Sequence, residues 1–257
     1  MLGIGNHEPM HALLPSPSTG DRLDVDLEQA YAYPPERAWL RANMVCSVDG
    51  AASAAGRSQG LSSPADKRVF RTLRALADVI VVGAGTARAE RYAAITPEET
   101  TPAERVTRGQ TATAAIAVVS ARLDLDLRSG LFAGAPTRSL VLTCSAADQG
   151  RLEALRDVAE VVVAGQDRVD LPAALNALAE RGLARMLCEG GPALLSQIAA
   201  AGRLDELCLT ITPLLTAGDA KRILTGTGLS PAQRLNLTHL LEQDGSLFAH
   251  YTREAVS

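Results

Sequence analysis

Four β-branched residues in a row, Val79-Ile80-Val81-Val82, constrain this chain more than any other feature. A strand with one face in water alternates apolar and polar side chains, so an unbroken run has to be buried on both faces. That describes a central strand of a parallel sheet with helices packed on either side. The flanks agree. Upstream, Ser63-Pro64-Ala65-Asp66 opens a helix, with a serine to cap, a proline for the first helical position and an acid in the first turn. Val69, Leu73 and Leu76 then recur at helical spacing, so that face packs on a sheet. Downstream, Gly83-Ala84-Gly85-Thr86 turns the chain.

The same alternation continues. Strands are expected at 40–47, 114–120, 140–144, 160–163, 184–188 and 206–212, and helices at 146–156, 171–181 and 192–201. A last strand, at 247–251, reads as antiparallel. Gly182 and Gly202 stop the helices before them. The pattern predicts an α/β three-layer sandwich around a mostly parallel sheet, as a single domain over 37–257. Residues 1–36, rich in Pro, Gly, Ser and acids, are expected as a loosely attached arm with a short helix near 27–31. Residues 91–112, threonine-rich with Pro97, Pro102 and Gly109, are expected as a long loop. Aromatics make up only 3% of the 257 residues, so Leu, Val, Ile and Ala must build the core.

Several function classes fall away. The net charge of −4 comes with no dense basic cluster to neutralise nucleic-acid phosphates. The longest apolar stretch, 75–87, is broken by Asp78 and is too short to span a bilayer. The N-terminus, with His7, Glu8 and His11 among prolines, has no secretory pattern. Cys46, Cys144, Cys188 and Cys208 form no C-x-x-C pair and sit in apolar runs, as reduced thiols of a cytoplasmic protein would. Literal H-E-x-x-H and G-x-S-x-G strings occur at 7–11 and 56–60. The first holds a proline within a proline-rich arm and the second lies between a turn and a helix start, so neither has the helix or the strand-to-helix elbow its chemistry needs. No metal is expected.

Four segments carry chemistry. At Gly83-Ala84-Gly85-Thr86 a buried strand runs into a glycine turn, where bare backbone can approach an anion at the carboxyl end of the sheet. Spacing alone leaves open whether the turn serves a phosphate or only its own geometry. Glu189-Gly190-Gly191-Pro192 repeats the device: strand, carboxylate, two glycines, and a proline starting a helix whose N-terminal N–H groups favour an anion. Two such turns in one chain favour the phosphate reading. Asn43 and Ser47 share one face of the first strand and Asp49 follows it, a polar patch that could orient a substrate ring. Ser120 and Arg122, just past a strand, could read the 2′-phosphate of NADP.

In this order and spacing, the segments resemble the reductase domain of riboflavin-biosynthesis proteins. The matching motifs are Ser47-Val48-Asp49-Gly50, the run from Ala77 to Thr86, Glu189-Gly190-Gly191-Pro192-Ala193-Leu194-Leu195, and the run from Leu204 to Leu215. The resemblance covers residues 39–251. It implies a dihydrofolate-reductase-like fold, a homodimer, and NADPH-dependent reduction of 5-amino-6-(5-phosphoribosylamino)uracil to its ribitylamino form. It also implies that Gly83, Gly85, Thr86, Glu189, Gly190, Gly191 and Pro192 line the cofactor, with Ser120 and Arg122 near its 2′-phosphate. Asn43, Ser47, Asp49 and Glu90 would face the substrate, with Asp49 as the proton-supplying catalytic group.

The departures fall on the substrate side. Many family members carry a lysine where Asn43 stands and a tryptophan where Gly60 stands. They commonly read R-x-D-N-P where this chain has Arg88-Ala89-Glu90-Arg91-Tyr92. The deaminase signature of bifunctional relatives is missing, which leaves reduction alone. Two other readings share the cofactor cleft: a reductase of another heterocycle, such as dihydrofolate or a pterin, and a nucleotide-binding relative without turnover.

Overall fold

The structure, a computed structural model, describes residues 9–15, 24–35, 37–54 and 56–253. Ten strands form one sheet: β1 (His11–Leu14), β2 (Trp39–Ser47), β3 (Val79–Gly83), β4 (Ala115–Val119), β5 (Leu140–Thr143), β6 (Glu160–Val163), β7 (Arg185–Cys188), β8 (Glu206–Thr212), β9 (Leu235–Gln243) and β10 (Ser246–Arg253). The order across the sheet is β1-β9-β10-β8-β2-β7-β3-β4-β5-β6. From β8 to β6 every pairing is parallel, while β10, β9 and β1 add antiparallel strands at one edge.

The β-branched run forms β3 as expected, and all four of its residues are fully buried. Their alternation divides the core in two. Ile80 and Val82 pack with Val69 and Leu73 of α2 (Pro64–Leu76) and with Leu152 and Leu155 of α5 (Gln149–Val158). Val79 and Val81 face α6 (Leu171–Glu180) and α7 (Pro192–Ala200), through Leu175, Leu178, Leu195 and Ile198. Each such side chain removed from water stabilises the fold by about 1.5–3 kcal/mol. Helices therefore cover both sheet faces, giving three layers. The α2 start is also as read: Ser63 Oγ accepts the Asp66 N–H at 3.1 Å.

Three expectations need correction. The described part of the 1–36 arm is attached. Its β1 extends the sheet beside β9, Met10 and Tyr31 are buried, and α1 (Leu27–Ala30) starts on Asp26, whose carboxylate accepts two backbone N–H groups. His7 lies outside the described residues. Buried Arg41 secures the arm by donating to the Tyr31 carbonyl at 2.7 Å and stacking over Tyr33 at 4.1 Å. Glu206, itself buried, pairs with that guanidinium and accepts from Trp39 Nε1 at 2.6 Å.

The 91–112 segment is not a bare loop. It holds a 3₁₀ turn at Pro97–Glu99 and α4 (Pro102–Thr107). Fully buried Arg105 donates to the Ala75 and Ala77 carbonyls, both at 2.7 Å, and so closes the C-terminus of α2. Finally, β9 was not expected. Its residues Asn236, Leu237 and Thr238 stay exposed, so the apolar period is blurred. The signal for it was Asp244-Gly245, a two-residue hairpin turn with φ of 52° and 75°. All four cysteines are buried and unpaired. Among the described residues no helix is long and apolar enough to cross a membrane.

Candidate active site

At the carboxyl edge of the parallel strands, β3 and β7 lie side by side, with Val81 opposite Cys188. The two glycine turns that follow them therefore meet. The Gly83 N–H donates to the Gly190 carbonyl at 2.8 Å. At Gly191 a Cβ would fall 2.3 Å from Thr86 Oγ1, so only glycine lets the turns approach this closely. Gly190 sits at φ 80°, where glycine carries no steric cost.

The helices leaving these turns start without a side-chain cap: α3 (Ala84–Ala89) on Gly83 and α7 on Gly191. By contrast α1, α2, α5 and α6 are closed by Asp26, Ser63, Asp148 and Asp170 (α4, away from this edge, also lacks a side-chain cap). Uncapped N–H groups at two adjoining turns suit an anionic ligand. A Cβ built at Gly85 meets no atom within 4 Å, leaving open space beside the backbone there.

A cleft of about 880 Å³ opens at this edge. Of the residues singled out in the sequence, Asn43, Gly83, Gly85, Thr86, Glu90, Glu189, Gly191 and Pro192 line it. Gly190 contributes its carbonyl to the joint between the turns. Ser47, Asp49, Ser120 and Arg122 are not part of the lining. The Ser47 hydroxyl donates to Asp49, and the Asp49 carboxylate also accepts the N–H groups of Thr216 (3.2 Å) and Ala217 (2.7 Å). These bonds, that from Ser47 first, hold the Asp49 carboxyl down at about 2. Asp49 is thus an ionised acceptor that fastens a loop, which does not suit the expected role of proton donor. Ser120 accepts the Leu123 N–H at 3.0 Å and is buried, while Arg122 is exposed. Both follow β4, one strand from the Gly83 turn.

The opposite wall was missed in the sequence. It is the cleft-facing stripe of α2, with Asp66, Phe70 and Arg74 recurring every four residues, and Lys67 beside it. That spacing was the available signal: a polar stripe beside the apolar one already assigned to the core. Arg74 makes a bidentate pair with Glu189 at 2.7 and 2.8 Å and stacks over Phe70 at 4.3 Å. From the 91–112 segment come Glu99, 3.6 Å from the Arg74 guanidinium, and Tyr92, whose hydroxyl donates to Glu189 at 2.6 Å. Burial, with the Glu189 charge adding to it, pushes the Tyr92 phenol well above its ordinary range, so it stays protonated. Glu189 therefore ties the glycine turns to α2.

The positions that depart from the family motifs are held by other contacts. Glu90 accepts both the N–H and the hydroxyl of Ser58 at 3.1 Å, bracing the loop before α2. A Cβ at Gly60 would lie 3.0 Å from Ala54 Cβ, so any side chain there requires Ala54 to give way. The chain lacks the lysine at position 43, but it has two others, Lys67 and Lys221, and both line the cleft.

Comparison with known proteins gives the family. The model of the RibD C-terminal domain matches residues 38–247. The 2,5-diamino-6-ribosylamino-4(3H)-pyrimidinone 5′-phosphate reductase of Methanothermobacter thermautotrophicus is 30% identical over 220 residues, covering 84% of this chain and 98% of the relative. The enzyme of the same name from Archaeoglobus fulgidus is 27% identical over 219 residues, 84% of this chain and 100% of its own length. A solved pyrimidine reductase-like protein from Corynebacterium diphtheriae superposes with a TM-score of 0.79 at 30% identity, covering 90% of this chain and all of that one.

Proposed function

Because this chain belongs to the RibD C-terminal domain family and is a reductase of riboflavin biosynthesis, we propose that its cleft binds NADPH and reduces a ribosylaminopyrimidine 5′-phosphate. The observation that carries the reading is the pair of touching, uncapped glycine turns at the carboxyl edge of the sheet. Gly83, Gly85, Thr86, Gly191 and Pro192 would hold the dinucleotide there, with Ser120 and Arg122 towards its 2′-phosphate. Bound in this place, the nicotinamide would supply the hydride equivalent for the sugar carbon.

The rest of the work falls to the chain's own side chains. The ring-opened ribosylamine is an imine at C1 and the product is an amine, so one hydride and one proton are added. Asn43 and the α2 stripe orient the pyrimidine and sugar, and the walls exclude water. Lys67 supplies a cation for the 5′-phosphate, in place of the missing lysine at position 43. The archaeal relatives carry the 2,5-diaminopyrimidinone in their names, whereas the sequence motifs pointed to the uracil. The two substrates differ at C2 of the ring, and both belong in the assay. The buried, unpaired cysteines suit a reducing cytoplasm. Leu13, Leu14 and Leu237, exposed on the β1–β9 edge, support a homodimer through that edge.

The test is loss of NADPH absorbance with each freshly generated ribosylaminopyrimidine phosphate, with dihydrofolate in parallel. Consumption with a ribosylaminopyrimidine alone is the expected result. Consumption only with dihydrofolate, or with none of the three, overturns the reading. Lys67→Ala is expected to raise KM for the phosphorylated substrate about tenfold or more, the worth of one charge-assisted contact, with KM for NADPH unchanged.

A further inference from the structure

Between β8 and β9 the chain runs from 213 to 234 without helix or strand, yet it is fastened at several points. The Val48 N–H donates to the Leu214 carbonyl at 3.1 Å, and the Ala52 N–H to the Lys221 carbonyl at 2.7 Å. The Thr225 N–H donates to the Pro192 carbonyl at 3.3 Å. The segment thus forms a strap from the turn after β2 to the start of α7. Along it, Lys221 and Thr225 line the cleft.

The firmest fastening is Asp49. Its carboxylate accepts the successive N–H groups of Thr216 and Ala217, and the Thr216 hydroxyl lies within 3.3 Å. Ala217 sits at φ 53°, a left-handed conformation that costs a non-glycine residue about 1 kcal/mol or more. A charge-assisted bond to that residue's own N–H holds it there. Hydrogen bonds from Ser47 and from this backbone keep Asp49 ionised at any ordinary pH.

The strap's cargo stands out against the rest of the chain. Of 25 Lys and Arg residues, 23 are arginine, and the two lysines are Lys67 and Lys221. Both are exposed and both line the cleft. Neither ammonium has an ion-pair partner among the described residues. Arg74, the half-buried cation of the same cleft, is neutralised by Glu189 and Glu99. A lysine is a compact point charge on a flexible stem, suited to follow a phosphate without imposing a planar fork.

We propose that Asp49 is a positioning residue that latches the strap, and that Lys221 is a specificity-determining cation which joins Lys67 on the substrate's phosphate monoester. This rests on the functional reading above and extends it to the strap.

The test compares wild type, Lys221→Ala, Lys221→Arg, Asp49→Asn and the double variant Asp49→Asn/Lys221→Ala. Substrates are the ribosylaminopyrimidine with and without its 5′-phosphate. Lys221→Ala should raise KM for the phosphorylated substrate about tenfold, with kcat nearly unchanged and no effect on the dephosphorylated one. Lys221→Arg should recover most of the loss. Asp49→Asn should repeat the KM effect and add nothing to it in the double variant, as expected when one residue acts through another. Should Asp49→Asn not fold, Asp49→Glu, which keeps the charge on a longer stem, should show the same KM rise.

An unchanged KM in Lys221→Ala overturns the proposal. So does a rise shared by the dephosphorylated substrate or one confined to NADPH, which carries a phosphate monoester of its own. Ribose 5-phosphate binding by calorimetry separates this outcome from failure of the functional reading. If wild type reduces neither pyrimidine, that reading falls. The proposal then stands if Lys221→Ala and Asp49→Asn each weaken ribose 5-phosphate binding about tenfold, and falls if they do not.

Discussion

The two walls of the cleft are made of different material. On the side proposed for the cofactor the wall is backbone: two glycine turns in contact, with helix N-termini left open. On the side proposed for the substrate it is side chains from separate places, namely the α2 stripe, Glu90 and Tyr92 after β3, and the strap that carries Lys221. Backbone can approach a phosphate only where Cβ is absent, so the first wall tolerates little change. A wall of side chains can be rebuilt residue by residue. Here Glu90 braces a loop and Ala54 fills the space beside Gly60, while cations arrive from α2 and the strap. The dinucleotide is common to many reductases and the substrate is not, which matches this division.

The largest expected effect comes from cutting the ion-paired joint between the walls. Arg74→Ala leaves the Glu189 carboxylate buried without its guanidinium, and removing one partner of a buried pair costs about 3–5 kcal/mol. A denaturant titration should show that loss, with both NADPH binding and substrate KM impaired. A loss below about 1 kcal/mol, in the range of exposed pairs, would mean that the walls stand independently. Gly191→Ala should act on one wall only. Its methyl would land on Thr86 Oγ1, 2.3 Å away, so overpacking costs about 1–3 kcal/mol and NADPH affinity falls about tenfold. Equilibrium binding of ribose 5-phosphate should stay unchanged. An equal loss for both ligands would break the comparison.

The same division explains what was legible in the sequence. The Val79–Val82 run, the Ser63-Pro64 helix start and both glycine turns are local rules, fixed by burial, capping and φ, and each could be read within a few residues. Asp49 could be seen but not understood. Its partners at Thr216 and Ala217 lie 167 and 168 residues away, and nothing local reveals that it fastens a strap. The Arg74–Glu189 pair spans 115 residues and was hidden for the same reason. Lys67 and Lys221 needed only counting, but their common place in the cleft depends on how α2 and the strap fold around the sheet. The attachment of the arm was hidden because a polar, proline-rich composition says nothing of the distant β9 that pairs with β1, or of an Arg41 able to donate to the Tyr31 carbonyl.

A smaller effect belongs to neither wall and so serves as a control. His239, at the antiparallel edge, is held down at about 4 by burial and by neighbouring His250. The unfolded chain takes up this proton near pH 6.5 and the folded chain only near 4, so the unfolded state binds more protons in between. Stability is therefore lost as pH falls from about 6.5 to about 4. After discounting for the part of the ring that water reaches, about 1–2 kcal/mol is expected. His239→Gln should flatten that part of the profile, and NADPH affinity at pH 7 should not move. If it does, the antiparallel edge is coupled to the cleft and the two-wall account is incomplete.

The smallest effect sharpens the boundary between the walls. Arg122 is exposed and outside the cleft lining, yet it follows β4, whose Val119 pairs with Gly83 at the start of the first glycine turn. If it meets the 2′-phosphate, the contact is a solvated ion pair worth about 0.5–1 kcal/mol, or a few-fold in affinity. Arg122→Ala should then raise KM for NADPH about threefold, leave KM for NADH alone, and lose its effect in high salt. That outcome would give the backbone wall one side-chain reader, at the end of the cofactor where specificity matters. Equal KM values for wild type and variant would leave selection of the phosphorylated cofactor to the turns themselves, and the cofactor wall would be backbone throughout.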